Sequence, residues 1–402
     1  MAALPAREIE HMPQVNRWLL AVPLLLSLGA CSTIEGWFEM DDDNPKAPAK
    51  LVDIEPQVRI KELWSHGVGN GQGKGFYRIQ PVIQGDVIYA AAASGDLEAF
   101  DRHSGDSLWD VELDNHLSGG VGAYGQALFV GTSDGQVLKL DAANGEVLWS
   151  ARLAGEVLSP PQSNGRVVLA HTLDGKLQGL DFATGELLWT YDSNVPVLTL
   201  RGSSSPLVKE NTAYVGFANG RVLAFDAATG GIIWEIRVAI PQGRSEIERV
   251  VDIDGTMDLV GTDLYVASYQ GRIMAIDVAN GRKLWQHNVS SFSGVSQGFG
   301  NVYVADEDGT VTAYQRSGQG ERWSQTELAY RSLSRPTPVS SYLAVGDFDG
   351  YVHLMSQVNG ELVGRVRADS DGVRADMVSV DNVLYVYGNS GDLVAYEVTA
   401  RD

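Results

Sequence analysis

Short runs of alternating apolar and polar residues recur along the chain, separated by turn residues. The stretch 134–149 begins with an Asp-Gly turn, and the strand that follows has apolar residues at Val137, Leu138 and Leu140. An Asn-Gly turn then leads to a second strand that ends in Trp149. Glycine supplies the positive φ that tight hairpin turns need, so this stretch predicts an antiparallel hairpin.

The same hairpin occurs eight times. Its turn glycines are Gly95, Gly135, Gly175, Gly220, Gly271, Gly309, Gly350 and Gly391. They are 40, 40, 45, 51, 38, 41 and 41 residues apart. A period near 40 residues with about four short strands per repeat is typical of propeller blades.

The two ends of the repeat region complement each other. The eighth copy ends near Glu397 without a following strand, whereas residues 58–64 form a strand ending in Trp64 without a repeat before it. We therefore predict an all-β fold, an eight-bladed β-propeller with four-stranded antiparallel blades, in which the N-terminal strand completes the last blade. Such closure leaves no open sheet edge between the first and last blades.

A tryptophan recurs at one position of the outer strand. It is present as Trp64, Trp109, Trp149, Trp189, Trp234, Trp285 and Trp323, and the seventh repeat has Gly364 instead. We predict that these indoles pack between neighbouring blades, each contributing at most about 4–6 kcal/mol. The alternative is a ring of indoles around a cofactor.

The first 54 residues differ from the repeats. Residues 18–26 form a short apolar run after Arg17, and Leu-Gly-Ala-Cys at 28–31 matches the lipobox of bacterial lipoproteins. We predict a signal peptide over 1–30, cleaved before an acylated Cys31, a flexible tether over 31–54, and the propeller over 55–402. Ser32 follows the cysteine in place of an inner-membrane retention aspartate, which favours the periplasmic face of the outer membrane.

Charge and composition narrow the function. The formal net charge of −21 disfavours nucleic acid as a partner. The seven histidines show no metal-ligand spacing, and neither a nucleophile elbow nor a phosphate-binding loop is present. Acidic turns such as 306–309 and 347–350 resemble the start of a calcium loop but lack its final glutamate. We predict no enzyme activity, no metal and no cofactor.

The two longest spacings mark two insertions, at 195–206 and 238–257. The first insertion contains Leu198, Leu200 and Arg201, and the second contains Asp252 and Asp254. Apolar residues beside an arginine, with acids next door, are typical of a protein-binding patch. The alternative, that the leucines fill their own blade and the insertions are inert, stays open.

The lipobox, the tether and eight repeats of the form G-x-V-x-A-x-D-x-x-T/N-G-E-x-x-W together resemble the BamB family. These are the propeller lipoproteins of the outer-membrane β-barrel assembly (BAM) complex. The resemblance implies that Leu198, Leu200, Arg201, Asp252 and Asp254 bind the POTRA domains of BamA. It also implies partnership with the other BAM lipoproteins and a membrane anchor through the N-terminal lipid. Contact with nascent outer-membrane proteins stays open.

Two other functions remain as alternatives. Quinoprotein alcohol dehydrogenases share the repeat, but they use pyrroloquinoline quinone with calcium and an adjacent cysteine pair, which Cys31 alone cannot supply. The other alternative is a lipid-anchored propeller that binds a different envelope component, such as peptidoglycan.

Overall fold

A computed structural model describes residues 45–73, 75 and 77–401. The predicted signal peptide, Cys31 and most of the predicted tether lie outside these residues. The chain divides into two compact units, Met1–Ala47 and Pro48–Asp402, and the second unit contains all the strands that the structure describes.

The second unit is built from short strands joined by turns. In the first half of the chain the strands are β1 (Val58–Gly67), β2 (Val82–Gln84), β3 (Val87–Ala91), β4 (Asp96–Asp101), β5 (Ser107–Glu112), β6 (Leu117–Tyr124), β7 (Ala127–Thr132), β8 (Gln136–Asp141), β9 (Val147–Arg152), β10 (Gln162–Ser163), β11 (Val167–His171), β12 (Lys176–Asp181), β13 (Leu187–Asp192), β14 (Leu207–Lys209), β15 (Thr212–Gly216), β16 (Arg221–Asp226) and β17 (Ile232–Arg237). After a short 3₁₀ turn at Ile247–Arg249 they are β18 (Asp258–Val260), β19 (Asp263–Ala267), β20 (Gly271–Asp277), β21 (Arg282–Val289), β22 (Val295–Gly298), β23 (Asn301–Ala305), β24 (Val311–Gln315), β25 (Glu321–Gln325), β26 (Thr337–Val339), β27 (Tyr342–Gly346), β28 (Tyr351–Ser356), β29 (Leu362–Arg367), β30 (Val378–Val380), β31 (Val383–Tyr387) and β32 (Asp392–Ala400).

These strands form eight antiparallel sheets of four strands, which confirms the predicted eight-bladed propeller. Blades 1 to 7 each use four consecutive strands, from β2–β5 to β26–β29. Blade 8 has the order β1-β32-β31-β30, so β1 is its outer strand. The pairing of β1 with β32 runs from Val58 opposite Ala400 to Gly67 opposite Asp392. The N-terminal strand therefore closes the ring, as the sequence predicts.

The hydrophobic core is distributed between blades. Each of the eight junctions between neighbouring blades contains its own cluster of buried residues. At the junction of blades 2 and 3, for example, Phe129 of β7 packs with Val168 of β11. A chain of this length can bury its apolar residues in this way because no single core has to grow beyond the usual domain size.

The recurrent tryptophans bridge the blades. Each indole Nε1–H donates to a carbonyl oxygen of the next blade, over 2.8–3.1 Å, and the acceptor is the residue directly after that blade's third strand. A glycine of the next turn lies over each ring. At Gly185, for instance, φ is +75° and an added Cβ would lie 2.8 Å from two ring atoms of Trp149. The indole is thus fixed by one hydrogen bond and one glycine that leaves room for it.

The propeller unit begins earlier than the boundary at residue 55 that we drew from the sequence. The Ala49 N–H donates to the Ala329 carbonyl over 2.8 Å, and the Val52 carbonyl accepts a 3.0 Å hydrogen bond from Arg365. Residues 48–54, which we assigned to the tether, therefore lie against the propeller. Pro-rich composition predicts irregular structure in this segment, but it carries no signal for these long-range contacts.

Candidate functional site

The two insertions form neighbouring loops of the propeller. The first, residues 193–206, joins blade 3 to blade 4, and the second, residues 238–257, joins blade 4 to blade 5. The Leu200 N–H donates to a carboxylate oxygen of Asp252. Two residues further along each loop, Gly202 packs so closely on Asp254 that an added Cβ would lie 2.8 Å from the carboxyl carbon. The structure thus brings Leu200 to Asp252 and places Asp254 directly beside the same loop.

Arg201 is held between two residues that the sequence does not point to. Its Nη2 atom lies 2.8 and 2.9 Å from the two carboxylate oxygens of Glu156, in the linker between blades 2 and 3. Its guanidinium carbon lies 5.7 Å from the ring centre of Tyr77, within cation–π range. Glu156 and Tyr77 are distant in sequence and fall outside the repeat pattern, so no sequence signal could have paired them with Arg201.

The five predicted residues fall into three classes of burial. Leu198 is 41% exposed and Arg201 is also exposed, whereas Asp252 is 1% exposed. Leu200 and Asp254 are intermediate. Asp252 is therefore placed to hold the first loop from below, and Leu198 and Arg201 are placed to contact another molecule.

The carboxyl groups of Asp252 and Asp254 both have raised pKa values. Burial raises the pKa of Asp252, and the neighbouring charge of Asp254 raises it further, while the Leu200 N–H acts in the opposite direction. Burial also raises the pKa of Asp254, against the lowering effect of Arg78. Among the described residues, the second carboxylate oxygen of Asp252 has no hydrogen-bond partner. The raised pKa values favour uptake of a proton by these two carboxyl groups, and this reduces the repulsion between Asp252 and Asp254.

Further apolar side chains are exposed on the same two loops. Val197 is 93% exposed, Ile240 50% and Ile247 69%. We refer to Val197, Leu198, Leu200, Arg201, Ile240 and Ile247, on the two loops that meet at Leu200 and Asp252, as the docking surface. Three of these six residues, Val197, Ile240 and Ile247, were not predicted from the sequence, although an isolated apolar residue in a charged or Pro-containing loop was an available signal.

A cavity of about 690 Å³ opens beside the docking surface. It is lined by linkers between blades and by turns between second and third strands, and we call the side formed by these segments the cavity face. Leu200, Arg201 and Asp254 line it from the two loops, and Arg78, Phe292 and Phe348 from other blades. Its wall mixes aromatic rings, guanidinium groups and carboxylates.

The acidic turns that resemble calcium loops use their oxygens within the protein. One oxygen of Asp306 accepts the N–H groups of Asp308 and Thr310 at 3.1 and 2.7 Å. One oxygen of Asp347, which is fully buried, likewise accepts two turn N–H groups, and the other accepts from His353 and Arg331. Within the part of the chain that the structure describes, no three His, Cys, Asp or Glu side chains cluster in a way that could hold a metal ion.

Tryptophan-docked blades of this kind define a β-propeller of PQQ-like repeats. Residues 93–325 match the model of a family described as outer membrane protein assembly factor BamB. The outer membrane protein assembly factor BamB of Pseudomonas aeruginosa is 58% identical over 352 residues, covering 87% of this chain and 92% of the relative. This chain therefore belongs to the BamB family.

Solved structures agree with this assignment. The crystal structure of BamB from Moraxella catarrhalis superposes with a TM-score of 0.78 at 29% identity, covering 84% of this chain and all of that one. Quinohemoprotein alcohol dehydrogenase from Comamonas testosteroni superposes with a TM-score of 0.67 at 15% identity, over 84% of this chain and 76% of that one. The dehydrogenase shares the fold alone.

Proposed function

We propose that this protein is a non-enzymatic scaffold of the outer-membrane β-barrel assembly machinery, and that its docking surface binds the POTRA domains of BamA. Membership of the BamB family supports a role in outer-membrane protein assembly. Through this contact the protein assists the folding and insertion of β-barrel proteins, together with the other BAM lipoproteins.

The observation that carries the proposal is the preorganised loop between blades 3 and 4. Its backbone is fixed by Asp252, and its arginine is fixed by Glu156 and Tyr77 before any partner arrives. Binding then costs little conformational entropy, and an arginine at the centre of an interface is a typical energetic anchor, with the exposed leucine adding apolar contact area beside it. A loop filling only its own blade would not need Leu198 and Val197 in solvent.

The sequence at the N-terminus supports a location at the outer membrane. The lipobox ending at Cys31 supports acylation and anchoring, with the propeller in the periplasm. Within residues 45–401, apart from the two undescribed positions, no helix is long and apolar enough to cross a bilayer. A lipid at Cys31 would supply the membrane attachment.

The test is co-purification of BamA with a variant in which Leu198, Leu200 and Arg201 are all replaced by alanine. Each anchor residue of an interface typically contributes about 2 kcal/mol or more, roughly a 30-fold change in affinity, so the triple variant should lose BamA. A matched control replaces Leu187 and Leu188 by alanine. These two residues are 55% and 49% exposed and lie at the start of the outer strand of blade 3, whereas the first loop follows the end of that strand.

The control variant should retain BamA, and circular dichroism should show that both variants are folded. Retention of BamA by the folded triple variant would reject the docking surface. Equal loss from both variants would reject it as well, because the effect would then not depend on the loops.

A further inference from the structure

The segment Pro48 to Gln57 lies along the outer edge of blade 7, and we refer to residues 48–57 as the strap. At its start, the Ala49 N–H donates to the Ala329 carbonyl over 2.8 Å. At its end, the Gln57 N–H donates to the Val363 carbonyl over 2.8 Å. Since Val363 is near the start of β29 and Ala329 is in the linker after blade 6, the strap runs the length of the blade.

Two arginines hold the strap through its carbonyl groups. Arg331, which is 4% exposed in its side chain, donates to the Ala49 carbonyl over 3.0 Å. Arg365 donates to the Val52 carbonyl over 3.0 Å. Backbone carbonyls are the acceptors in both bonds, so the attachment depends on the path of the strap rather than on its side chains.

The two arginines are linked through the interior of blade 7. Arg331 Nε donates to Asp347 over 2.6 Å, and His353 Nε2 lies 2.9 Å from the same carboxylate oxygen. Arg365 Nε donates to His353 Nδ1 over 3.0 Å. Because Asp347 and His353 are both fully buried, this chain of hydrogen bonds fixes both arginines rigidly beneath the strap.

The start of the strap lies on the cavity face. Ala329 and Arg331 belong to the linker between blades 6 and 7, and the following residues Ser332 and Leu333 line the cavity together with Leu200. Arg331 also stacks on Phe348, another lining residue, at 5.0 Å from the ring centre. The propeller unit therefore begins, at residue 48, on the face that carries the docking surface.

From this path we infer that the cavity face is the membrane-proximal face of the propeller. The inference rests on the proposed lipid anchor at Cys31. Residues 31–47 can span at most about 60 Å when fully extended. If the chain left the propeller at the other end of the six-residue strand β29, its exit point would lie about 20 Å from the cavity face. That distance is about a third of the reach of residues 31–47. The strap instead begins on the face that carries the docking surface.

The test uses the full lipidated chain in vesicles of phosphatidylethanolamine and phosphatidylglycerol that contain a headgroup-linked quencher. With Cys31 acylated, a single introduced cysteine is the only free thiol to carry a dye. Glu307→Cys places it on the cavity face. Val358→Cys, at a residue 66% exposed in the turn between β28 and β29, places it at the opposite end of a neighbouring blade.

We expect quenching at position 307 to be at least twice that at position 358. Equal quenching, or stronger quenching at 358, on an anchored protein would overturn the inference and leave the proposed anchor intact. A wild-type chain that does not associate with the vesicles, behaving like Cys31→Ser, would instead overturn the anchor and the inference with it.

A second comparison tests whether the strap causes the orientation. The double variant Ala49→Pro/Arg365→Ala removes the strap's first bond, from Ala49 to Ala329, and the bond from Arg365 to Val52 in its middle, and it leaves Arg331 with Asp347 in place. Hydrogen exchange at the Gln57 amide should accelerate at least tenfold, and the difference in quenching between the two positions should fall by more than half. An unchanged difference after the strap is released would overturn the strap as its cause.

Discussion

The contact between Trp149 and Gly185 allows a quantitative test of how the blades are joined. Alanine at position 185 would meet two costs, since φ is +75° and its Cβ would lie 2.8 Å from the indole. The left-handed backbone conformation costs a non-glycine residue about 1–2 kcal/mol. Displacing a well-packed ring costs a further 1–3 kcal/mol or so. Gly185→Ala should therefore lower the free energy of unfolding by about 2–5 kcal/mol.

Gly125→Ala is the matched control. Its φ is +60°, but an added Cβ would meet no atom within 4 Å, so only the backbone cost of about 1–2 kcal/mol applies. The contact itself is isolated by repeating Gly185→Ala in a Trp149→Ala background. With the indole gone, the cost of the glycine substitution should fall to that of the control.

Guanidinium titrations followed by far-ultraviolet circular dichroism would measure these differences from the transition midpoints at a common slope. Far-ultraviolet detection is preferable to fluorescence because one substitution removes a tryptophan. The reasoning would be refuted if Gly185→Ala cost no more than Gly125→Ala, or if its cost were the same with and without Trp149.

Three further outcomes are expected. Asp252→Ala, which removes the acceptor for the Leu200 N–H, should weaken the proposed capture of BamA from membranes without unfolding the propeller, because leaving that N–H without a partner costs the loop about 1–3 kcal/mol. In denaturant titrations, Asp252→Asn should have a higher free energy of unfolding than wild type at pH 8, and this difference should become smaller at lower pH. The reason is that a raised carboxyl pKa makes the folded wild-type protein gain stability as the pH falls. Burial lowers the pKa of His353, although Asp347 acts in the opposite direction. As the pH falls, the unfolded state therefore protonates this residue near pH 6.5, before the folded state does. Acidification from pH 7.5 to 5.5 should therefore destabilise the strap, seen as faster Gln57 amide exchange after correction for the intrinsic rate, and His353→Gln should remove that dependence.

The groups around His353 make this last effect specific. Asp347, Arg331 and Arg365 contact it or one another, and Tyr351 lies with its ring centre 6.3 Å away. The two arginines oppose a positive charge on His353, and the carboxylate of Asp347 favours it. A protonated ring would also lose the Nδ1 lone pair that accepts from Arg365 Nε.

The fold was predictable because it is periodic. Turn glycines such as Gly135 and Gly175 repeat at nearly constant spacing, and each marks the same turn of its blade. Closure was predictable as well, because the strand ending in Trp64 had no repeat of its own and the last copy lacked an outer strand. These features come from local sequence, which determines turns and strand alternation.

The site was predictable only where a family pattern covers it. Leu200 and Asp252 could be named from the sequence, but their hydrogen bond joins residues of two different linkers. Arg201 and Glu156 lie in two different linkers and meet only after the blades are arranged in a ring, whereas Arg331 and Asp347, 16 residues apart, meet when the linker before blade 7 packs on that blade. Asp347 illustrates this limit of sequence-based prediction, because the sequence shows it only as part of an acidic turn. One of its oxygens does accept turn N–H groups, while the other binds His353 and Arg331.

Ring closure also accounts for the one repeat without a tryptophan. In the other junctions the indole lies beneath a glycine of the turn that joins the third and fourth strands of the next blade. Blade 8 has no such turn, because its third and fourth strands, β32 and β1, come from opposite ends of the chain. The space beside Gly364 is instead filled by Val58, whose Cγ2 atom would lie only 2.4 Å from an added Cβ. The loss of the tryptophan and the position of the N-terminal strand are therefore two aspects of the same packing arrangement, and the strap that precedes Val58 continues it along the edge of blade 7.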